Sequence, residues 1–227
     1  MIVHGGWGGG WEWTAVARAL RERGHDVFTP TLTGMGERAH LGGPGVGLAT
    51  HVEDVIAVLE LEDLHDVVLC GHSYGGMPVS GAADLAAERI TLVIYIDALV
   101  PSDGQSAFDL LPDEFAELAR ASAVDHGDGW RVTIPPSLLP PPGWTAEDER
   151  ARYIARLRVQ PLASFAGGEF SGAADLAAER ITLVIYIDAL VPSDGQSAFV
   201  RLGTVHADIV SRPDCVVLES ATYWKRR

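Results

Sequence analysis

The sequence lacks the features that mark disulfide-rich, metal-binding and membrane-spanning proteins. It contains two cysteines in 227 residues. Two cysteines cannot form a disulfide framework, and their spacing matches no metal-binding pattern. No apolar run is long enough to cross a membrane, and residues 1–10 read as a strand and a turn rather than a secretory signal. From these absences we expect a cytoplasmic protein without disulfides or a bound metal.

Positive charge is also scarce. Lysine and arginine together number 17 against 31 aspartates and glutamates, which gives a formal net charge of −14, and Lys225 is the single lysine. This balance argues against nucleic acid and anionic membranes as partners. The hydrophobic content of 47% fits a globular domain with one substantial core. The sequence leaves the oligomeric state open, with a homodimer as one alternative.

Residues 67–76 contain the pattern around which the chain is organised. The apolar run at 67–70 predicts a buried parallel strand, and the segment from Gly71 to Gly75 fits the G-x-S-x-G nucleophile elbow. In such an elbow a serine stands on a strained turn, and the flanking glycines let strand and helix approach closely. We therefore predict Ser73 as a nucleophile, with a chance match in a glycine-rich chain as the alternative.

A second glycine-rich turn follows the first predicted strand. Residues 2–7 read Ile-Val-His-Gly-Gly-Trp, a strand end that runs into the kind of turn that supplies half of an oxyanion hole. The backbone N–H groups of Gly6 and Tyr74 are expected to point at one oxygen. Donors of this kind typically contribute roughly 3 to 4 kcal/mol each to transition-state stabilisation.

The rest of the first hundred residues alternates between helical and strand patterns. Helices are predicted over 11–24, 50–61 and 76–87, and strands over 26–29, 67–70 and 91–96. Such alternation implies a parallel sheet with helices on both faces and a ligand site at the carboxyl ends of the strands. We therefore predict an α/β fold with a doubly wound, mostly parallel sheet.

Residues 101–165 break this alternation, and we interpret them as a small helical cap over the site. They contain proline clusters and a predicted helix over 145–158 with Thr145 as its N-cap. The expected organisation is a core part at 1–100, the cap, and a C-terminal core part at 166–227. Several apolar residues of this insertion are candidates to line an acyl or alcohol pocket, and the alternative is that they form the cap's own core. These residues are Phe108, Leu110, Leu111, Phe115, Trp130 and Leu139.

Residues 171–199 repeat residues 80–108 without one substitution. Repeats of a solenoid diverge and recur more often, so the duplication does not indicate repeat architecture. The first copy is expected to supply the end of the elbow helix, a core strand and the entry to the cap. The second copy is expected to add a strand over 182–187. Because its neighbours differ from those of the first copy, we expect the C-terminal third to be the least typical part.

The stretches 4–13, 28–38 and 71–75 together resemble the α/β-hydrolase superfamily. Within it they most resemble bacterial carboxylesterases related to plant methylesterases and hydroxynitrile lyases, densely from residue 1 to about residue 165 and patchily afterwards. The resemblance implies hydrolysis of small to medium carboxylic esters through an acyl-enzyme, with a small-molecule ester as substrate. It implies no metal and no organic cofactor.

The resemblance also implies a base and an acid to assist Ser73. His206 lies in a segment that resembles the family's late histidine loop and is the expected base, with His40 next. Asp188, at the end of the second-copy strand, is the first choice for the acid, and the alternatives are Asp194 and Asp97. The remaining histidines are expected in turns or on helix surfaces, His51 among them.

Two other functions use the same fold. Hydroxynitrile lyases of this family carry a lysine next to the histidine, whereas here Ala207 stands at that position. The second alternative is a non-catalytic α/β-hydrolase-fold binding protein whose triad is broken by the duplicated segment. Activity or geometry decides between these alternatives and the esterase.

Overall fold

The structure is a computed structural model that describes residues 1–167 and, further along the chain, the backbone of two strands at 181–186 and 216–219. The described strands are β1 (Ile2–Val3), β2 (Val67–His72), β3 (Ile90–Ile96), β4 (Arg131–Val132), β5 (Gln160–Pro161), β6 (Ile181–Tyr186) and β7 (Val216–Glu219). Five of them form one sheet in the order β1-β2-β3-β6-β7, and every pair in it is parallel. The predicted α/β class with a mostly parallel sheet is therefore confirmed.

Helices lie between these strands. They are α1 (Thr14–Arg21), α2 (Leu48–Leu61), α3 (Gly76–Leu85), α4 (Ala107–Leu110), α5 (Asp113–His126), α6 (Glu147–Arg156) and α7 (Ala163–Ala166). The helices α4 to α6 and the antiparallel pair β4–β5 fall in the segment 101–165 predicted as a cap, and α7 ends one residue beyond it. The division into core and cap domains itself stays a prediction.

The burial of β2 shows how the sheet is covered. Val67, Leu69 and Gly71 are buried, whereas the alternate residues of the strand are more exposed. Because strand side chains alternate between faces, the buried side faces the large core that includes residues of α2 and α3. The opposite face packs on α1, where Ala17 joins Ile2 in a smaller cluster. Helices thus cover both faces, as the prediction of a doubly wound sheet requires.

Two local predictions were wrong. The strand predicted over 26–29 does not form, although the Ile2 N–H donates to the Phe28 carbonyl at 2.8 Å. The adjacent strand β1 is only two residues long, too short for a continued ladder. Thr145 is not an N-cap, because α6 begins at Glu147 with Ala146 as its N-cap. The Thr145 hydroxyl donates to the carboxylate of Glu149 instead.

The two copies of the duplicated segment contribute neighbouring strands. β3 comes from the first copy and β6 from the second, close to the prediction of 182–187, and the two pair in parallel. Ile94 pairs with Leu183 and Ile96 with Ile185. The two copies are therefore paired with an offset of two residues. Ile94, for example, faces Leu183, which corresponds to Leu92 of the first copy.

Candidate active site

Ser73 lies on the turn between β2 and α3. Strand β2 ends at His72, a short 3₁₀ turn covers Ser73–Gly75, and α3 begins at Gly76. The backbone φ of Ser73 is +50°, a left-handed value that non-glycine residues adopt rarely and at a cost of about 1–3 kcal/mol. The side chain is only partly buried. The geometry of residues 71–75 is therefore that of an elbow that presents one hydroxyl at the edge of the sheet.

Close backbone contacts explain why glycines follow Ser73. A Cβ added at Gly75 would lie 2.6 Å from the His4 carbonyl oxygen and 2.7 Å from that of Val3. A Cβ added at Gly76 would lie 2.1 Å from the carbonyl oxygen of Leu99. All three obstacles are backbone atoms, so no side-chain movement can relieve them. The elbow thus depends on glycine at these two positions.

The structure brings the predicted oxyanion turn against the elbow. A Cβ added at Gly5 would lie 3.0 Å from the Ser73 Cβ, and one added at Gly6 would lie 3.9 Å from the Tyr74 Cβ. Tyr74 stands in the first turn after β2, where the backbone N–H groups of a helix have no intrahelical acceptor. Gly6 and Tyr74 are therefore neighbours, as two donors to one oxygen must be. Their role as donors stays a prediction.

His4 holds the oxyanion turn from inside the core. Its side chain is fully buried, with Nδ1 2.7 Å from the Gly5 carbonyl oxygen, and Nε2 accepts the Leu32 N–H at 3.0 Å. Since Nε2 accepts, Nδ1 carries the proton and donates it to Gly5. Burial lowers the pKa of His4 to about 4, and the ring is neutral at physiological pH.

The neutral state of His4 predicts a loss of stability in mild acid. An unfolded histidine titrates near pH 6.5, so between about pH 6.5 and pH 4 the unfolded chain binds a proton that the folded chain does not. The contribution of His4 to the free energy of unfolding is fully present above about pH 6.5. It decreases by about 3 kcal/mol as the pH falls to about 4. Urea unfolding at several pH values measures the slope.

His4→Asn should flatten that slope, because asparagine does not titrate. His65→Asn is the matched control, since His65 is an exposed histidine near a surface aspartate. An unchanged slope in His4→Asn, or an equal change in the control, would contradict the assignment.

The predicted surface position of His51 was wrong. This side chain is completely buried, with Nδ1 2.8 Å from the Tyr74 hydroxyl and Nε2 2.9 Å from the Thr33 carbonyl oxygen. Burial lowers its pKa, so the ring is neutral. Nε2 therefore donates to Thr33, and Nδ1 accepts from Tyr74. The spacing of Leu48, His51, Val52 and Val55 on α2 was the signal that places His51 on the buried face of the helix.

Five aromatic side chains pack together beside the elbow. Phe165 contacts the four others, at centroid distances of 5.8 Å to Trp7, 5.7 Å to Tyr74, 5.6 Å to Phe108 and 5.5 Å to Phe115. Phe108 and Phe115 are partly buried, and both belong to the cap residues predicted as pocket candidates. The cluster thus puts apolar surface of the cap next to Trp7 and Tyr74.

The remaining predicted residues fall into two groups. His206, Asp188 and Asp194 lie outside the described residues. Asp97 follows β3 directly, with a left-handed φ of +44°, and so lies at the same edge of the sheet as Ser73. His40 is exposed, with Nδ1 3.2 Å from the Glu37 carbonyl oxygen.

Over the described ranges, no group of three or more histidine, cysteine, aspartate or glutamate side chains could hold a metal ion. None of the helices in those ranges has the length and apolarity that crossing a bilayer requires.

Comparison with known proteins bears on these features. The model of the family described as "Alpha/beta hydrolase family" matches residues 1–221. A carbendazim hydrolyzing esterase of Nocardioides sp. (strain SG-4G) is 46% identical over 173 residues, which cover 73% of this chain and 70% of the relative. Putative methylesterase 14, chloroplastic, of Arabidopsis thaliana is 33% identical over 121 residues. That match covers 53% of this chain and 35% of the plant protein, so it spans about a third of that relative's length.

Solved structures are similar in fold. An extracellular alpha/beta-hydrolase from a Paenibacillus species has a TM-score of 0.77 and 20% identity, with 96% of this chain and 88% of the other covered. The methylesterase protein MES16 from Arabidopsis has a TM-score of 0.66 and 20% identity, with the same two coverages of 96% and 88%. At this level of identity the likeness concerns the fold alone.

Proposed function

Because the chain belongs to the alpha/beta hydrolase family, we propose that it is a serine carboxylesterase that hydrolyses small to medium carboxylic esters through an acyl-enzyme. The observation that carries the proposal is Ser73, held in a left-handed conformation between β2 and α3 with its side chain partly exposed. A serine hydroxyl in this position can reach a carbonyl carbon without rearrangement of the sheet. Relatives named as esterases support the same chemistry.

In this mechanism Ser73 Oγ attacks the ester carbonyl while His206 accepts its proton. The carbonyl oxygen becomes an oxyanion, which accepts hydrogen bonds from the N–H groups of Gly6 and Tyr74. The C–O bond to the alcohol breaks, and His206 returns the proton to the leaving oxygen. Water then attacks the acyl-enzyme with the same proton route and releases the carboxylic acid. Asp188 is proposed to orient His206, with Asp194 and Asp97 as alternatives.

The aromatic cluster is proposed as part of the pocket for the ester. Phe108 and Phe115 come from the cap and lie near Trp7, whereas Trp7 directly follows the proposed donor Gly6 and Tyr74 is the second proposed donor residue. An apolar wall at this place favours an acyl or alcohol group with hydrocarbon or aromatic character and excludes water from the oxyanion. A small uncharged ester is therefore the proposed substrate class.

Covalent labelling tests the proposed function. Diethyl p-nitrophenyl phosphate should phosphorylate Ser73 Oγ and release one equivalent of p-nitrophenol per chain, because a serine activated by a base displaces the aryloxide at phosphorus. Peptide mass spectrometry should find the diethylphosphoryl group on Ser73. Ser122, a partly buried serine whose hydroxyl hydrogen-bonds with that of Thr133, is the internal control and should stay unlabelled.

Two results would argue against the esterase. Labelling at another residue would move the nucleophile away from the elbow. Absence of labelling together with absence of p-nitrophenyl ester turnover would favour the non-catalytic binding protein.

A further inference from the structure

The oxyanion turn contains a second strained residue. The Gly8 N–H donates to the Gly6 carbonyl at 2.7 Å, which closes a three-residue turn with Trp7 at its centre. Trp7 has a φ of +59°, the sign of the rare form of this turn. A bulky residue in this region costs on the order of 1–3 kcal/mol and persists only where its surroundings hold it. Contacts outside the turn must therefore fix the peptide that follows Gly6.

The segment 158–160 holds both sides of Trp7. The Trp7 N–H donates to Gln160 Oε1 at 3.2 Å, and the Arg158 N–H donates to the Trp7 carbonyl at 2.9 Å. The indole Nε1–H donates to the Val132 carbonyl at 3.0 Å, which ties the same residue to strand β4. The conformation of the turn thus depends on residues more than a hundred positions away, in the part of the chain predicted as the cap.

Gln160 is itself fixed in one orientation. It is completely buried in strand β5, and its Nε2 donates to Ser164 Oγ at 3.0 Å. Ser164 Oγ uses its hydrogen on the Pro161 carbonyl at 2.7 Å, so it can only accept from Gln160. The amide oxygen must therefore face Trp7. A Cβ added at Gly6 would lie 2.7 Å from this oxygen, which shows how closely Gln160 packs on the proposed donor residue.

From these contacts we propose that Gln160 is a positioning residue for the oxyanion hole. Its Oε1 fixes the Trp7 N–H, and the Gly6 carbonyl of the same peptide unit is fixed by Gly8. The Gly6 N–H belongs to the preceding peptide unit, whose Gly5 carbonyl accepts from His4 Nδ1 at 2.7 Å. With the peptide units on both sides of Gly6 held, the direction of the Gly6 N–H is set. The inference rests on the proposed esterase function and extends the site from the elbow to the cap.

Gln160→Met tests the inference because methionine has a similar shape but offers the Trp7 N–H no strong acceptor. We expect kcat for p-nitrophenyl butyrate to fall about 10- to 100-fold, less than the 10²–10³ that loss of a whole oxyanion donor costs. KM should change less than about threefold, since the hole binds the transition state rather than the ester. The inhibition constant of a trifluoromethyl ketone, whose adduct places an oxyanion in the hole, should rise by the factor by which kcat falls.

Ser164→Ala is the matched control, because it removes the other hydrogen bond of the same amide and leaves Oε1 on Trp7. Its kcat should fall by less than a third of the factor seen for Gln160→Met. If Gln160→Met does not fold, Gln160→Glu keeps an oxygen acceptor for Trp7 but brings a carboxyl beside the hole. Its kcat relative to wild type should then decrease as the pH rises and the carboxyl ionises.

Equal kcat losses in Gln160→Met and Ser164→Ala, unchanged kcat, or an unchanged ketone inhibition constant would overturn the positioning role. So would a pH-independent kcat ratio for Gln160→Glu. Failure of the proposed function itself would look different, because the wild-type protein would then neither hydrolyse the ester nor be labelled at Ser73. That result would also contradict the inference.

Discussion

Ser73→Ala is expected to reduce kcat for p-nitrophenyl butyrate by about 10⁶-fold, the loss typical of a serine hydrolase without its nucleophile. The change removes one partly exposed hydroxyl, and alanine keeps only the Cβ that serine already places in the left-handed conformation. Folding should therefore persist. Initial rates, a far-UV circular dichroism spectrum and the unfolding midpoint, compared with those of Ser122→Ala, measure the two effects separately.

Turnover by Ser73→Ala at the wild-type rate would show that the elbow is not the site.

The same assay also separates the two candidate bases. His206→Ala should lose most of the activity and His40→Ala, which alters an exposed residue of the 36–41 turn, should retain it. The reverse result would move the base to His40. Loss of the orienting carboxylate alone should cost about 10⁴ in kcat, so the aspartate variants Asp188→Asn, Asp194→Asn and Asp97→Asn can be compared on the same scale.

Among glycine-to-alanine substitutions at the elbow, Gly76→Ala should cause the largest decrease in the free energy of unfolding. The added Cβ would lie 2.1 Å from the Leu99 carbonyl oxygen and 2.9 Å from the Ala98 Cβ. The Leu99 N–H also donates to the Ser73 carbonyl at 2.9 Å, so a shift that relieves the contact moves the elbow as well. We expect a decrease of about 3 kcal/mol in the free energy of unfolding, at the upper end for overpacking.

Gly45→Ala is the control for that substitution. Among the residues that the structure describes, no atom lies within 4 Å of a Cβ added at Gly45, so the free energy of unfolding should change by less than about 0.5 kcal/mol. For a chain of this size, a loss of 3 kcal/mol corresponds to a fall of roughly 6–12 °C in the midpoint of thermal unfolding. An equal midpoint for Gly76→Ala and Gly45→Ala would show that the contact with Leu99 relaxes without cost.

The sequence predicted the parts of the fold that long apolar patterns specify. Strands β2 and β3 and helix α2 were found within about two residues of their observed bounds, because each combines a clear period with a clear end. The strand predicted over 26–29 does not form. A pattern of four residues does not show whether the neighbouring strand, here β1, is long enough to continue a hydrogen-bonded ladder. Thr145 failed as an N-cap because the first helical residue was placed too early.

The site was predictable where glycines fix the backbone and unpredictable where distant residues meet. The spacing of Gly71, Ser73 and Gly75 was sufficient to place the elbow. In contrast, His51 contacts Tyr74 across 23 positions and Gln160 contacts Trp7 across 153. No local pattern contains such contacts, because they depend on how α2 and the cap segment pack on the sheet. The triad partners His206 and Asp188, the cytoplasmic location and the homodimer stay predictions.

The side-by-side placement of β3 and β6 has a consequence for the order of assembly. Because the two strands come from identical copies, exchanging them would change neither the composition nor the hydrophobic pattern of the sheet. The length of the connecting chain determines which copy takes which position in the sheet. Helix α3 joins the first copy directly to β2, whereas the whole cap segment separates the second copy from β3. The shorter loop closes at lower entropic cost. The β2–α3–β3 unit is therefore expected to fold first, and the duplicate strand then adds to an edge that is already formed.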